Sequence, residues 1–248
     1  MIKGQRIKIR EITADPSFDV GITMHLSGPG EIGCVCFCLD ASGALADSRW
    51  LIFEENATSP EAAVKFMGTS RGDGHDYEVT LGNVPAEVDK IVFVAFVNGP
   101  GAMNQLTYGH LRVKAGDREL SRYVLSGHDF GQEKAVMLAE IYRKGGEWRL
   151  YLNGQGFAEG IEGVFRHFRA GNLWDALADR ERRDQASRGH EIVLTPEQAD
   201  AILAIINRSA SQEDASWPSQ DGGLDDDPGR ELDEDLPLPR SDKPPTLH

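Results

Sequence analysis

The chain has 248 residues, of which 40% are hydrophobic, and its 40 acids against 26 Lys and Arg give a formal net charge of -14. That length suits one domain of roughly 150–200 residues with extensions, or two small domains. The sign of the charge excludes nucleic acid as a default partner, because phosphate binding needs basic patches, whereas an acidic surface suits cations or basic partners.

Short alternating stretches dominate the first 155 residues. Residues 6–10 alternate strictly and predict a first strand. Residues 18–26 (FDVGITMHL) predict a second. Val35, Phe37 and Leu39 alternate with Cys34, Cys36, Cys38 and Asp40. Residues 50–53 and 77–81 follow. The nearly unbroken apolar run IVFVAFV at residues 91–97 reads as a central strand buried on both faces. Residues 111–113 and 123–125 predict further strands. Residues 135–142 and 148–152 flank Lys144-Gly145-Gly146, a hairpin turn in which glycine tolerates positive φ. A helix competes over residues 132–142, which are rich in helix formers; the strand is preferred. Many short strands separated by turn signals predict a sandwich.

The period then lengthens. Ile161, Val164, Phe165 and Phe168 sit at helical spacing and predict a short closing helix. Residues 172–188 are charged and helical in character. Thr195-Pro196-Glu197-Gln198 is a helix start, with Thr as N-cap and Pro at the first helical position. An apolar stripe follows at Ala201, Ile202, Ile205 and Ile206. Residues 209–248 hold eleven acids against three bases and are rich in Pro, Gly and Ser, so they are expected to be disordered. The reading is therefore a body over residues 1–170, a helical extension over 171–208 and an acidic Pro-rich tail over 209–248.

The opening MIKGQRIKIR lacks the apolar segment of a secretion leader. No apolar run approaches the ~20 residues of a membrane span. Both predict a cytoplasmic protein without a transmembrane segment. Gly28-Pro29-Gly30-Glu31-Ile32-Gly33 matches a dinucleotide fingerprint in letters only: a strand follows it where a helix is required, and Pro29 removes an amide donor. Asp129-Phe130-Gly131 lacks the other kinase motifs. Neither G-x-S-x-G nor H-E-x-x-H occurs.

The cysteines, Cys34, Cys36 and Cys38, lie too close together for a disulfide framework. Residues two apart in a strand share a face, so all three point with Asp40. Thiolates beside a carboxylate can take zinc or a softer metal. Spacing of about 6.5–7 Å per two residues lets at most two share one ion. The preferred reading is three small buried hydrophobes.

Several segments together resemble the TerD family of tellurite-resistance and stress proteins. They are Ile2-Lys3-Gly4-Gln5, Phe37-Cys38-Leu39-Asp40-Ala41-Ser42, the stretch NVPAEVDKIVF at residues 83–93, Arg122-Tyr123-Val124-Leu125-Ser126, and Gly145-Gly146-Glu147-Trp148-Arg149 with Gly154-Gln155-Gly156. Their order spans about residues 1–170. The resemblance implies a mainly β, TerD-like β-sandwich with short C-terminal helices and a disordered tail. It also implies a non-enzymatic stress-response binding or scaffold protein, working with other Ter-type proteins in a membrane-associated complex. Family members hold calcium on acidic loops, and Asp40, Asp76 and Glu78 carry over, with Asp73 as a local extra carboxylate. Cys38, Thr69, Ser70 and Tyr77 stand where the family has acids or an amide. The expected metal set is therefore Asp40, Asp73, Asp76 and Glu78, with calcium as the ion. The alternatives are a metal-dependent enzyme at the acidic loop, or a thiol-based metal sensor at Cys34, Cys36 and Cys38.

Overall fold

The computed structural model describes residues 1–69 and 71–188. Its strands are β1 (Arg6–Lys8), β2 (Ser17–Leu26), β3 (Glu31–Leu39), β4 (Leu51–Ile52), β5 (Val64–Phe66), β6 (His75–Thr80), β7 (Lys90–Asn98), β8 (Leu106–Ala115), β9 (Arg118–Leu125), β10 (Ala135–Lys144) and β11 (Glu147–Phe157). Helical segments are α1 (Ile9–Ile12), α2 (Ile161–His167) and α3 (Gly171–Arg188). All the strand pairings are antiparallel. A six-stranded sheet runs β1-β11-β10-β7-β3-β4, and a five-stranded sheet runs β5-β6-β2-β8-β9.

Strand alternation explains the layering. In β7, Ile91, Phe93, Ala95 and Val97 face the space between the sheets, while Val92 and Val94 face the other way. In β3, Cys34, Cys36 and Cys38 join the inter-sheet core, while Val35, Phe37 and Leu39 join the second cluster. That second cluster is closed by Val164, Phe165 and Phe168 of α2 and its C-terminal end. The middle of the six-stranded sheet is thus buried on both faces, which is why β7 carries no polar alternation. Phe37 marks the contact: its ring centroid lies 5.1 Å from that of Phe165 and 5.0 Å from that of Phe168.

The helical cap is fastened by its own ending. Arg169 takes φ 57°, a left-handed conformation. The Ala170 amide then donates to Phe165 O at 2.8 Å and the Arg169 amide to Arg166 O at 3.1 Å. This pair of reversed bonds stops the helix. Leu173, Trp174 and Leu177 of α3 pack onto the same cluster, with the Trp174 ring tilted at 46° to that of Phe165 and 5.4 Å from it.

Two sequence expectations change. The first strand ends at Lys8 instead of Arg10, because residues 9–12 coil into α1 and turn Ile9 and Ile12, three apart, onto the core. The three-residue β5 has no sequence signal long enough to be read as a strand. The stretch 135–142 is a strand, as preferred, paired with β7 on one side and β11 on the other. The helix expected from Thr195 and the tail 209–248 lie outside the described residues.

Phe37→Ala removes a wholly buried ring from the sheet–helix interface. It is expected to cost about 3–5 kcal/mol, measurable by urea denaturation.

Candidate functional site

The outer face of the five-stranded sheet is where charged side chains gather. Alternation points Asp19, Gly21 and Thr23 of β2 outward, with Asp76 and Glu78 of β6 and His110, Arg112 and Lys114 of β8. Strand register then sets them in rows. Gly21 pairs with Asp76 on one side and Arg112 on the other; Asp19 pairs with Glu78 and with Lys114; Thr23 pairs with His110. The connection from β5 to β6, described at residues 67–69 and 71–74, folds back over this face. It brings Asp73 down onto Gly21, where a side-chain methyl would overlap the Asp73 carboxylate. Gly21 is therefore a space requirement of the site, not of the strand.

Asp73 is the hub, and its side chain is fully buried. Thr23 Oγ1 donates to Asp73 Oδ1 at 3.1 Å, and His110 Nε2 lies 2.9 Å from the same oxygen. Arg112 Nε reaches both carboxylate oxygens, at 2.9 and 2.8 Å. Lys114 Nζ donates to Asp73 Oδ2 at 2.8 Å, to Asp76 Oδ1 at 2.7 Å and to the Arg71 carbonyl at 2.8 Å. Asp76 Oδ2 accepts from the backbone amides of Arg71 and Asp73 at 3.0 and 3.2 Å. A ring of further pairs surrounds the hub. The Arg71 guanidinium bridges Asp19 and Glu78, and Lys65 Nζ holds the second Glu78 oxygen at 2.8 Å.

Electrostatics follow from this pairing. Burial pushes the Asp73 carboxyl upward, but the hydrogen bonds from Lys114, Arg112 and His110 outweigh it and hold the group far below the usual carboxylate range. Burial likewise pulls the Lys114 ammonium down, and its bonds to Asp73 and Asp76 more than restore it, so it stays charged. Bonds from Lys65 and Arg71 lower Glu78.

Asp40 sits elsewhere, at the end of β3 in the other sheet. Its Oδ1 accepts from Ser42 N and Ser42 Oγ at 2.8 Å and from Ala44 N at 3.0 Å. These bonds, the Ser42 hydroxyl first, lower its pKa. The turn so formed lets the Leu45 amide donate to Phe168 O at 2.9 Å, tying the β3–β4 connection to the end of α2. Asp73, Asp76 and Glu78 thus lie on one sheet face, while Asp40, grouped with them by sequence, serves a turn of its own in the other sheet.

A divalent cation does not fit the Asp73–Asp76 pocket as it stands. Calcium takes about six to eight oxygens, and the oxygens that converge here already accept N–H donors. Among the described residues, no group of three or more His, Cys, Asp and Glu side chains is arranged to hold a metal ion. Tyr77, between Asp76 and Glu78 in the chain, points inward and packs 5.2 Å from Phe66 and 5.3 Å from Phe93. The cysteines lie between the sheets at 8%, 0% and 0% exposure, and burial raises the Cys34 and Cys36 thiols. A buried neutral thiol is a poor metal ligand.

Sequence reasoning missed Asp19, His110, Arg112 and Lys114. The spacing His110-x-Arg112-x-Lys114 puts three basic groups on one strand face and was the available signal. His75 opens β6 opposite Ile22.

Two substitutions probe this face. Gly21→Ala is expected to lose about 1–3 kcal/mol by overpacking, read by thermal unfolding. Asp73→Asn should lose about 3–5 kcal/mol at neutral pH, since it leaves Arg112 without its buried counter-charge and Lys114 with Asp76 alone. Because the folded pKa of Asp73 is depressed, its stabilisation is present above about pH 4 and is lost as pH falls further. The wild type should therefore lose stability on acidification below about pH 4 more steeply than Asp73→Asn.

The TerD domain family model matches residues 1–168. The chain is 33% identical over 145 residues to "Tellurium resistance protein TerD" of Serratia marcescens, covering 54% of this chain and 75% of that protein. It is 30% identical over 189 residues to "Uncharacterized protein YceE" of Bacillus subtilis (strain 168), covering 67% and 95%. It is 32% identical over 136 residues to "General stress protein 16U" of the same organism, covering 50% and 70%. The match ends one residue beyond α2, so it takes in both sheets and the helix that closes them, and this chain belongs to the TerD family.

Proposed function

We propose that this protein serves in the response to tellurite and other chemical stress as a binding or scaffold module, not as an enzyme. The observation that carries the reading is the family match across the whole two-sheet body. Relatives named for tellurium resistance and general stress support it. Other Ter-type proteins are the partner class that this membership suggests, in an assembly at the membrane. Among the described residues, no helix is long and apolar enough to cross a membrane, so that association would run through a partner or a surface.

The geometry also favours binding over catalysis. Catalytic acids and bases generally need a charged or titratable group held ready for substrate. In the outer-face cluster, Asp19, Asp73, Asp76 and Glu78 are each matched by Lys65, Arg71, Arg112 or Lys114. The function proposed does not require calcium at Asp40, Asp73, Asp76 and Glu78, nor thiol chemistry at Cys34, Cys36 and Cys38.

Deleting the gene in its own organism should lower survival in tellurite, and the wild-type copy should restore it. The purified chain should also retain a Ter-type protein from that organism. Unchanged tolerance to tellurite and to other chemical stresses in the deletion strain would refute the stress-response reading. Retention of no Ter-type protein would refute the scaffold reading.

A further inference from the structure

We infer that Lys114 takes the place of a divalent cation in this chain, so that the acidic connection over β2 and β8 is held closed by an ammonium group without metal. The inference does not rest on the stress-response reading; it concerns what keeps the fold's acidic face together.

Three oxygens from separate groups converge on Lys114 Nζ at 2.7–2.8 Å: the Arg71 carbonyl, Asp73 Oδ2 and Asp76 Oδ1. Two carboxylates and a loop carbonyl around one cation are the donor chemistry of a hard metal site. Here the central charge is tethered to β8, and its side chain is only 3% exposed. An ammonium carries three donors, and all three are used. A tethered cation also differs from a bound ion in cost. Its entropy of localisation is met when the strand folds, so no free ligand concentration enters the stability. Arg112 and His110 complete the saturation on the other side of Asp73. A divalent ion would have to displace Lys114 from a site that buries it.

The test is thermal unfolding of the full chain in EDTA and in excess calcium, for the wild type, Lys114→Met and Asp76→Asn. An ion bound at hundredfold excess over its Kd would raise the midpoint by roughly 5–10 °C. The wild type is expected to show no calcium-dependent rise, or one that persists in Asp76→Asn because it arises elsewhere. Lys114→Met should unfold at a lower midpoint in EDTA, and calcium should recover part of the loss by occupying the freed oxygens. A wild-type rise that vanishes in Asp76→Asn would overturn the inference, as would an unchanged midpoint in Lys114→Met. Where Lys114→Met does not fold, the wild-type and Asp76→Asn pair still decides.

Discussion

The connection between β5 and β6 can lie on the sheet only because every carboxylate it buries meets a cation. Removing Asp73 and Asp76 from water unpaired would cost several kcal/mol each, far more than loop contacts return. Lys114 removes that cost for both at once, and Arg112 shares Asp73. The absence of a side chain at Gly21 supplies the room. Neither condition suffices alone. Without the cations the loop would lift into solvent; without the gap the carboxylate could not reach them. The backbone amides of Arg71 and Asp73 then close on Asp76, so the loop's own polar groups are satisfied by the acid that the cation holds.

The opposite sheet is organised by burial instead of charge. Because α2 covers its outer face, β3 and β7 need apolar residues on both sides, and the cysteines fall on the inner one. There Cys36 stands opposite Phe93 and Cys38 opposite Ile91 across the β3–β7 ladder, a small side chain beside a large one. Burial there raises the Cys34 and Cys36 thiols, which disfavours the thiolate that metal binding and thiol redox chemistry use. Asp40, two residues past Cys38, escapes burial only because the strand has ended, and its Oδ1 accepts the hydrogen bonds of the turn that meets α2. One strand therefore carries residues that sequence grouped together into two different environments.

This divides what could be read from the sequence from what could not. Alternation located β3, β-rich composition β2 and the Gly145-Gly146 turn β10 and β11, and the nearly unbroken run at residues 91–97 located β7 and correctly implied cover on both faces. The closing helix was visible in Ile161, Val164, Phe165 and Phe168. These are local signals, in which a residue's neighbours in sequence share its face. The charged cluster is non-local. Asp19, Asp73, Asp76 and Lys114 meet across up to 95 positions of chain, through the pairing of β2 with both β6 and β8. Local periodicity shows that His110, Arg112 and Lys114 share a face; it does not say which strand lies beside them. Asp73 read as an extra carboxylate in a glycine-rich loop for the same reason, since its role depends on a strand fifty residues earlier.

The net charge of the chain is equally misleading as a guide to this site. Taken over the sequence it suggests a surface that attracts cations. On the outer face of the five-stranded sheet, however, Asp19, Asp73, Asp76 and Glu78 are offset by Lys65, Arg71, Arg112 and Lys114, while eleven of the acids belong to residues 209–248. Long-range attraction of a cation scales with the unbalanced charge nearby and is screened beyond about 8–10 Å in physiological salt. A balanced cluster exerts little such pull. What this face offers a partner is a rigid, hydrogen-bonded surface, with Tyr108 and Val124 exposed at its β8–β9 side. A surface already ordered by such bonds lowers the ordering cost of association, which would favour the binding role proposed above.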